Sequence, residues 1–243
     1  MDTSIMTRPD TEYIVQTTKA AYDSHARAWA ERPFTPSPLI LEFVKQFIEA
    51  LPDTEHRVLD LGCGPGRWTK YLLDAGVPSV VGLDISANML QIAKKTAPQA
   101  SYVQADIRQG HELFQPESVS GILAMASLLH LPKASVKEAL IGYRRVMIAG
   151  GVLAIMVKWG VADGFEKTPD MPQRYVSYWR AAELEQAVMD AGYGNIQVGE
   201  IQDSQARIWI GLLASPHYRR SDNRSHSSGR SARCTEHADA GDR

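Results

Sequence analysis

Residues 58–72 read VLDLGCGPGRWTKYL: an apolar run, three closely spaced glycines, and a segment of helical character. This order predicts a β-strand, a tight turn and the start of an α-helix. Gly62, Gly64 and Gly66 let the backbone turn sharply, and because they lack a Cβ atom a ligand can lie against the main-chain amides. The segment predicts a ligand-binding turn at a strand end. A glycine turn that binds nothing is the alternative.

The spacing of these glycines disfavours two common kinds of nucleotide-binding turn. In the dinucleotide fingerprint G-x-G-x-x-G the third glycine would fall where Arg67 stands. A P-loop requires Lys and then Ser or Thr after the last glycine, whereas Arg67 and Trp68 follow Gly66 here. The observed spacing, G-x-G-x-G, therefore argues against a bound NAD and against a P-loop nucleotide.

Apolar runs and helical segments alternate on both sides of this turn. Such alternation predicts an α/β fold with a doubly wound, mostly parallel, seven-stranded Rossmann-like sheet. Two final apolar runs separated by a short polar stretch predict an antiparallel hairpin at one sheet edge. The predicted strands are 57–61, 79–83, 101–104, 119–126, 151–157, 195–201 and 207–214, and the predicted helices are 67–75, 88–95, 136–147 and 180–191.

The two ends of the chain differ from this central region. A helix predicted over 11–32, with residues such as Tyr13 and Ala20 at helical spacing, makes residues 1–36 an N-terminal lid. Residues 37–214 form the main domain, which begins with a second helix over 37–51. Residues 215–243 have almost no aliphatic side chain, so a disordered polar tail is expected there. Residues 159–173, which contain glycine, proline and acids, are predicted as a loop over the sheet.

Composition and charge favour a small-molecule protein of the cytoplasm. The formal net charge is -2, which argues against bulk nucleic acid or an anionic membrane as partner. Cys63 and Cys234, one in a glycine turn and one in a polar tail, do not suggest a disulfide framework. The N-terminus lacks the apolar core of a secretory signal, and no apolar run is long enough to span a bilayer.

Acidic residues follow three successive strands. Asp60 ends the strand before the glycines, where its charge would repel a pyrophosphate and attract a cation. Asp84 ends the next strand, in a position to accept hydrogen bonds from a ribose, although it could also cap the following helix. Asp106 ends the third strand, where it could accept from an adenine amino group or serve only as a turn residue.

With these acids and glycines, the chain resembles the class I S-adenosylmethionine-dependent methyltransferases from about residue 39 to residue 214. The motifs are D-L-G-C-G-P-G, G-L-D-I-S, A-D-I and M-I-A-G-G-V-L. The resemblance implies S-adenosyl-L-methionine as cofactor. It also implies cofactor contacts from residues that share these motifs or the lid helix: Tyr22, Asp60, Gly62, Gly64, Asp84, Ile85, Asp106, Ile107 and Met125. Tyr22 and Met125 could equally be core residues.

The segment after the fourth strand, GILAMASLLHLPKAS, is where a methyl acceptor is expected. It lacks the Asn/Asp-Pro-Pro-aromatic motif of adenine methyltransferases and the Pro-Cys of cytosine C5 enzymes, so a DNA base is disfavoured. His130 is the candidate catalytic base for an oxygen or nitrogen nucleophile, with a structural loop histidine as the alternative. Lys158 or Arg174 could pair with a substrate carboxylate; alternatively, Lys158 is solvated and the nearby aromatic residues pack under the loop.

These patterns predict an S-adenosylmethionine-dependent methyltransferase of small molecules. A non-catalytic relative that regulates or binds a partner is the first alternative, and the retained Asp60, Asp84 and Asp106 disfavour it. NAD-dependent oxidoreduction is the second, and the position of Gly66 disfavours it.

Overall fold

The computed structural model describes residues 10–52 and 55–216. Six α-helices and nine β-strands follow each other along this part of the chain. The helices are α1 (Thr11–Ala30), α2 (Pro38–Ala50), α3 (Arg67–Asp74), α4 (Ala87–Thr96), α5 (Lys133–Val146) and α6 (Ala181–Asp190). The strands are β1 (Arg57–Leu61), β2 (Val80–Asp84), β3 (Ser101–Gln104), β4 (Val119–Met125), β5 (Met147–Lys158), β6 (Gly164–Thr168), β7 (Met171–Val176), β8 (Tyr193–Gln202) and β9 (Ile208–Pro216).

Seven strands form one sheet in the order β3-β2-β1-β4-β5-β9-β8. The first five are parallel, whereas β9 runs antiparallel between β5 and β8. Strand β1 is central: Leu59 lies beside Val81 on one side and Ile122 on the other. Leu59 and Ile122 are fully buried, as expected for strands covered on both faces. The predicted fold class and the antiparallel edge hairpin are confirmed.

The strand order fixes where a ligand can bind. The order in which strands are added reverses at β1: β2 and β3 extend the sheet on one side of β1, whereas β4 and β5 extend it on the other side. In open α/β sheets the ligand lies beyond the carboxyl ends of the strands at such a switch point. The turn after β1 and the segment after β4 meet there.

Helix α2 begins with a capped first turn. The Ser37 hydroxyl accepts a hydrogen bond from the Ile40 amide at 3.4 Å, and Pro38 occupies the first turn. Its apolar face buries Phe43 and Phe47 against the sheet.

The prediction of a loop over residues 159–173 is wrong. This segment contains β6 and the start of β7, which pair antiparallel as a separate two-stranded sheet. Strand β7 packs against α1, so the hairpin supports the lid helix. An isolated hairpin is marginal by itself, and this packing against a helix is what stabilises it.

Helix α1 is present where it was predicted, but its buried face is different. Tyr13 is 57% exposed and Ala20 is also exposed. The side chains that face the protein are Ala21, which does belong to the predicted spacing, together with Ile14, Val15, Thr18 and Ala26.

The ends of the predicted domains are only partly covered by the described residues. Strand β9 continues to Pro216, two residues beyond the predicted end of the main domain, and residues 217–243 of the predicted tail lie outside the described part. The division into lid, domain and tail stays a prediction. Within residues 10–52 and 55–216, no helix combines the length and the apolar character needed to cross a membrane.

Candidate active site

A cavity of about 250 Å³ lies at the switch point, at the carboxyl ends of the strands and beside α1. It brings together every predicted site residue except Asp60. Those lining it are Tyr22, Gly62, Gly64, Asp84, Ile85, Asp106, Ile107, Met125 and His130. Val15, Thr18, Trp29, Phe34, Cys63, Pro65, Arg67, Trp68, Met89, Ala126, Ser127 and Leu131 complete the wall.

The glycine turn needs its glycines for two different reasons. Gly62, Gly64 and Gly66 all have positive φ, at 67°, 53° and 81°, which side chains other than glycine rarely adopt. Gly62 also lies against the side chain of Ser127, and a Cβ atom at position 62 would collide with it. Gly64 has open space on that side. The turn therefore needs glycine both for its backbone conformation and for its close approach to the end of β4.

Asp84 holds the glycine turn in place. Its carboxylate accepts hydrogen bonds from the Gly64 and Ser86 amides, each at 2.8 Å. Burial raises the pKa of Asp84 to about 6, although these hydrogen bonds oppose the rise. The cap of α4 is Ser86, whose hydroxyl accepts from the Met89 amide at 3.1 Å. Asp84 is thus not the helix cap that the sequence offered as its alternative role.

Asp60 lies deeper than the other site residues. Only 1% of its surface is exposed, and its carboxylate accepts a 2.6 Å hydrogen bond from the Thr69 hydroxyl on α3. Burial raises the pKa of Asp60 to about 7, and the charge of Asp84 raises it further. A buried acid with this pKa favours a neighbouring cation, which would restore its ionised form.

Asp106 connects the cavity to the lid. It forms an ion pair with Arg108 at 2.6 Å, and Arg108 also pairs with Glu12 of α1 at 2.8 Å. Asp106 and its neighbour Ile107 both line the cavity.

Two further contacts that hold the lid helix in place were not predicted from the sequence. Arg67 donates to the backbone carbonyls of Trp29, Ala30 and Arg32 at the end of α1. Asp23 accepts from the Ser86 hydroxyl at 2.6 Å. Arg67 carried a usable signal, since a cation in the first turn of a helix opposes the helix dipole and suggests a specific partner.

Tyr22 and His130 form a hydrogen-bonded pair in the cavity wall. The Tyr22 oxygen lies 2.7 Å from His130 Nε2, and His130 Nδ1 lies 2.6 Å from the Tyr175 carbonyl oxygen. A carbonyl can only accept, so Nδ1 carries the proton and Nε2 accepts from the Tyr22 hydroxyl. Burial lowers the pKa of His130 to about 4 and raises that of Tyr22 to about 12, so both are neutral near pH 7.

The end of β4 is strained where it meets the cavity. Ala126 has a φ of 57°, unusual for a residue with a side chain, and it is followed by Ser127. The Ser127 hydroxyl is buried and has no hydrogen-bond partner among the described residues. Strained backbone and an unsatisfied hydroxyl at one point are typical of a binding site.

The aromatic residues of α1 and of the segment after β5 divide into those that line the cavity and those that do not. Trp29 lines the cavity with Tyr22, whereas Tyr13 packs on Phe165 of β6, outside it. Tyr175 and Trp179 are buried and do not line the cavity, as expected if they pack beneath the 159–173 segment. Lys158 forms an ion pair with Glu166, with 3.3 Å between Nζ and Oε2, and is therefore not simply a solvated side chain.

A family model and several known proteins match part of this chain. A family model described as a methyltransferase domain matches residues 58–151. The trans-aconitate 2-methyltransferase of Rhizobium etli is 37% identical over 106 residues, which is 42% of this chain and 38% of that protein. The malonyl-[acyl-carrier protein] O-methyltransferase of Enterobacter lignolyticus is 39% identical over 98 residues, 40% of this chain and 37% of that protein. The chain thus spans about two fifths of the length of these relatives.

Solved structures match nearly the whole described chain. The 1,6-didemethyltoxoflavin-N1-methyltransferase of Burkholderia thailandensis, with S-adenosylhomocysteine bound, has a TM-score of 0.67 at 16% identity and covers 87% of this chain and 92% of its own. At this identity the likeness establishes the fold.

Proposed function

We propose that this chain is a class I S-adenosylmethionine-dependent methyltransferase that transfers a methyl group from S-adenosyl-L-methionine to an oxygen or nitrogen atom of a small molecule. The observation that carries the proposal is the convergence of the glycine turn with Asp84, Asp106 and the Tyr22–His130 pair in one cavity. The curated relatives, which are named as methyltransferases, support it.

The charges around the cavity fit this cofactor. Asp60 is buried, Asp84 is half-buried, and both have raised pKa values, so they favour a cation and hydrogen-bond donors and oppose a pyrophosphate. Asp60, Gly62 and Gly64 would hold the methionine end, whose ammonium carries the positive charge. Asp84 would accept from the ribose hydroxyls. The adenine would lie between the apolar side chains of Ile85 and Ile107, with Asp106 and Met125 as further contacts: these assignments are part of the proposal.

When bound, the sulfonium of the cofactor supplies an electrophilic methyl group. Transfer from such a centre requires in-line positioning and exclusion of water more than covalent help from the protein. Trp29, Phe34 and Trp68 provide an apolar wall on the α1 side of the cavity. Their aromatic faces also suit a cationic centre.

The Tyr22–His130 pair provides a route for the proton of the acceptor. As an N–H or O–H acceptor gains the methyl group, its proton passes to the Tyr22 oxygen while the Tyr22 proton passes to His130 Nε2. The Tyr175 carbonyl, which accepts from Nδ1–H, then stabilises the resulting imidazolium. His130 is therefore the proposed base and Tyr22 its intermediary.

Cofactor binding is the first experiment. Isothermal titration with S-adenosylmethionine and S-adenosylhomocysteine is expected to give saturable binding, whereas NAD should give none. Absence of binding at millimolar S-adenosylmethionine would contradict the proposal. Methyl transfer is then measured with labelled cofactor against oxygen and nitrogen acceptors.

The role of His130 is tested by substitution. His130→Ala should lower kcat by roughly a hundredfold, the usual contribution of a general base, and leave cofactor affinity nearly unchanged. Tyr22→Phe should lower kcat similarly because it breaks the same proton route. The matched control is His25→Ala, which removes a different histidine, located on α1, and should retain full kcat. Unchanged turnover in His130→Ala would remove His130 from the mechanism.

A further inference from the structure

The guanidinium of Arg174 on β7 is buried, and one of its nitrogen atoms donates no hydrogen bond to any described residue. The residue is only 9% exposed, and its Nη1 has no acceptor within the described residues. The nearest acid is Glu166, whose Oε2 lies 4.0 Å from Nη2. Burying a guanidinium without full pairing costs free energy, so the position suggests an absent anionic partner.

Glu166 does not neutralise the charges around it. Its carboxylate also pairs with Lys158 at 3.3 Å and accepts a hydrogen bond from the Tyr178 hydroxyl. One acid therefore serves two cations, Lys158 and Arg174, and the group keeps one net positive charge.

Arg174 does not itself line the cavity but lies directly behind its wall at Tyr22 and His130. The residue next to Arg174 is Tyr175, whose carbonyl accepts from His130. The charge of Arg174 acts on both members of the catalytic pair: it lowers the pKa of Tyr22 against the effect of burial, and it adds to burial in lowering that of His130. A ligand that reaches Tyr22 and His130 thus comes within the field of Arg174.

We infer that Arg174 binds a carboxylate of the methyl acceptor, so that the enzyme acts on small molecules that carry a carboxylate group. The inference rests on the proposed function, because it names the substrate class of that site. A guanidinium presents two parallel N–H donors that match a carboxylate. One net positive charge suits a single carboxylate, whereas a phosphate dianion would leave excess negative charge beside Glu166.

Carboxylate binding also has a consequence for His130. The bound anion offsets the charge of Arg174 and attracts a proton to the imidazole. It therefore raises the pKa of His130 toward the ordinary value of a histidine, and the base gains strength when the acceptor is in place.

The first test measures the melting temperature of the protein saturated with S-adenosylhomocysteine. Acetate, malonate and succinate are compared with acetamide, malonamide and succinamide, at constant ionic strength set with chloride. At least one carboxylate should raise Tm when its amide does not. The rise should persist in Lys167→Gln, which removes an exposed cation from the same hairpin, and disappear in Arg174→Gln. No carboxylate-specific rise, or a rise that survives in Arg174→Gln, overturns the inference.

A second variant, expected to bind the carboxylate more tightly, keeps the inference testable even if Arg174→Gln does not fold. Glu166→Gln removes the competing acid, so the dissociation constant of the same carboxylate should fall by a few fold. In Arg174→Gln it should rise by roughly ten- to hundredfold, the range of a hydrogen-bonded charge pair. Weaker or unchanged carboxylate binding in Glu166→Gln contradicts the inference even if Arg174→Gln does not fold.

The affinity for S-adenosylhomocysteine separates this inference from the proposed function. If the wild-type protein does not bind this ligand, the proposed function fails. If it binds, and methyl transfer proceeds on neutral acceptors as readily as on carboxylates, only the inference about Arg174 fails.

Discussion

Single residues around the cavity adopt conformations that most sequences avoid. Gly62, Gly64 and Gly66 have positive φ, and so does Ala126, where a side chain makes the conformation costly. Ser127, which directly follows Ala126 at the end of β4, packs its side chain against Gly62 in the turn after β1. Backbone strain at such a point persists because the surrounding structure enforces it, and it keeps the Ser127 hydroxyl in the cavity wall.

Gly62 and Gly64 offer a matched pair of substitutions. Each Gly→Ala change imposes a side chain on a positive φ and should lower the free energy of unfolding by about 1–2 kcal/mol. Gly62→Ala also collides with Ser127, so it should cost at least about 1 kcal/mol more and weaken S-adenosylhomocysteine binding by roughly tenfold or more. Gly64→Ala meets open space and should retain more affinity.

Urea unfolding and isothermal titration of both variants check this difference. Equal losses of stability and affinity in the two variants would show that the contact between Gly62 and Ser127 has no energetic importance.

Among the elements, helix α1 does most to enclose the cavity. Its first turn is held by Glu12 through Arg108, its middle by Asp23 through Ser86, and its end by Arg67. Strand β7 supports it from outside, where the Tyr175 amide donates to the Thr18 hydroxyl at 3.1 Å. A cofactor that lies beneath this helix can leave only when some of these contacts open.

Arg67→Gln should loosen the end of α1. The variant loses charged hydrogen bonds to three carbonyl groups, each worth about 1 kcal/mol or more, so S-adenosylhomocysteine should dissociate roughly ten times faster. Hydrogen exchange should increase most in residues 23–32. Lys70→Gln, which removes an exposed cation from the same helix, is the control and should leave both quantities unchanged.

Stopped-flow release of the ligand and exchange mass spectrometry provide the measurements. Slow release in Arg67→Gln, together with unchanged exchange in residues 23–32, would mean that Arg67 does not hold the lid.

The same scale shows which elements a sequence can predict. Strands such as β1 and β4 are buried on both faces, so their apolar runs and the following turns predict them within a few residues. The β6–β7 hairpin was missed because its strands pair only with each other and contain Gly164 and Pro172. Its stability comes from packing on α1, which is distant along the chain, and no local pattern reports such a contact.

For the whole molecule, the predictability of the site follows from topology. Asp60, Asp84 and Asp106 could be placed in one region because parallel strands bring their carboxyl ends to one edge. The contact between Tyr22 and His130 joins residues 108 positions apart and depends on how α1 docks. That Nη1 of Arg174 is unpaired within the described residues likewise results from tertiary packing, and the sequence indicated only that Arg174 was a candidate for pairing with a carboxylate.

Asp60, which is buried, and Asp84, which is half-buried, make the stability of the unliganded molecule depend on pH. The pKa of Asp60 is about 7 when folded, above the ordinary aspartate value of 3.8, so the folded state binds this proton more tightly than the unfolded state. The contribution is fully present below the ordinary pKa and is lost as pH rises through about 7. Asp84, with a pKa of about 6, acts in the same direction. When no ligand is bound, ionisation of Asp60 and Asp84 near neutral pH therefore destabilises the protein.

Asp60→Asn should remove much of this effect. Asparagine keeps an oxygen for the Thr69 hydroxyl but cannot ionise, so at about pH 8 the variant should be more stable by on the order of 2 kcal/mol. The gain should shrink as pH falls toward about 5. At the same time affinity for S-adenosylmethionine should drop by roughly tenfold or more, since the ammonium loses its counter-charge. Urea unfolding across this pH range and isothermal titration measure the two effects.

Asp74→Asn, which removes an exposed acid from the end of α3, is the control for net charge and should change neither quantity appreciably. If Asp60→Asn is destabilised at all pH values, the hydrogen bond from Thr69 outweighs the burial of charge. If it is stabilised but binds the cofactor normally, Asp60 does not face the ammonium. Stabilisation together with lost affinity is expected if the charge of Asp60 serves cofactor binding and lowers the stability of the unliganded protein.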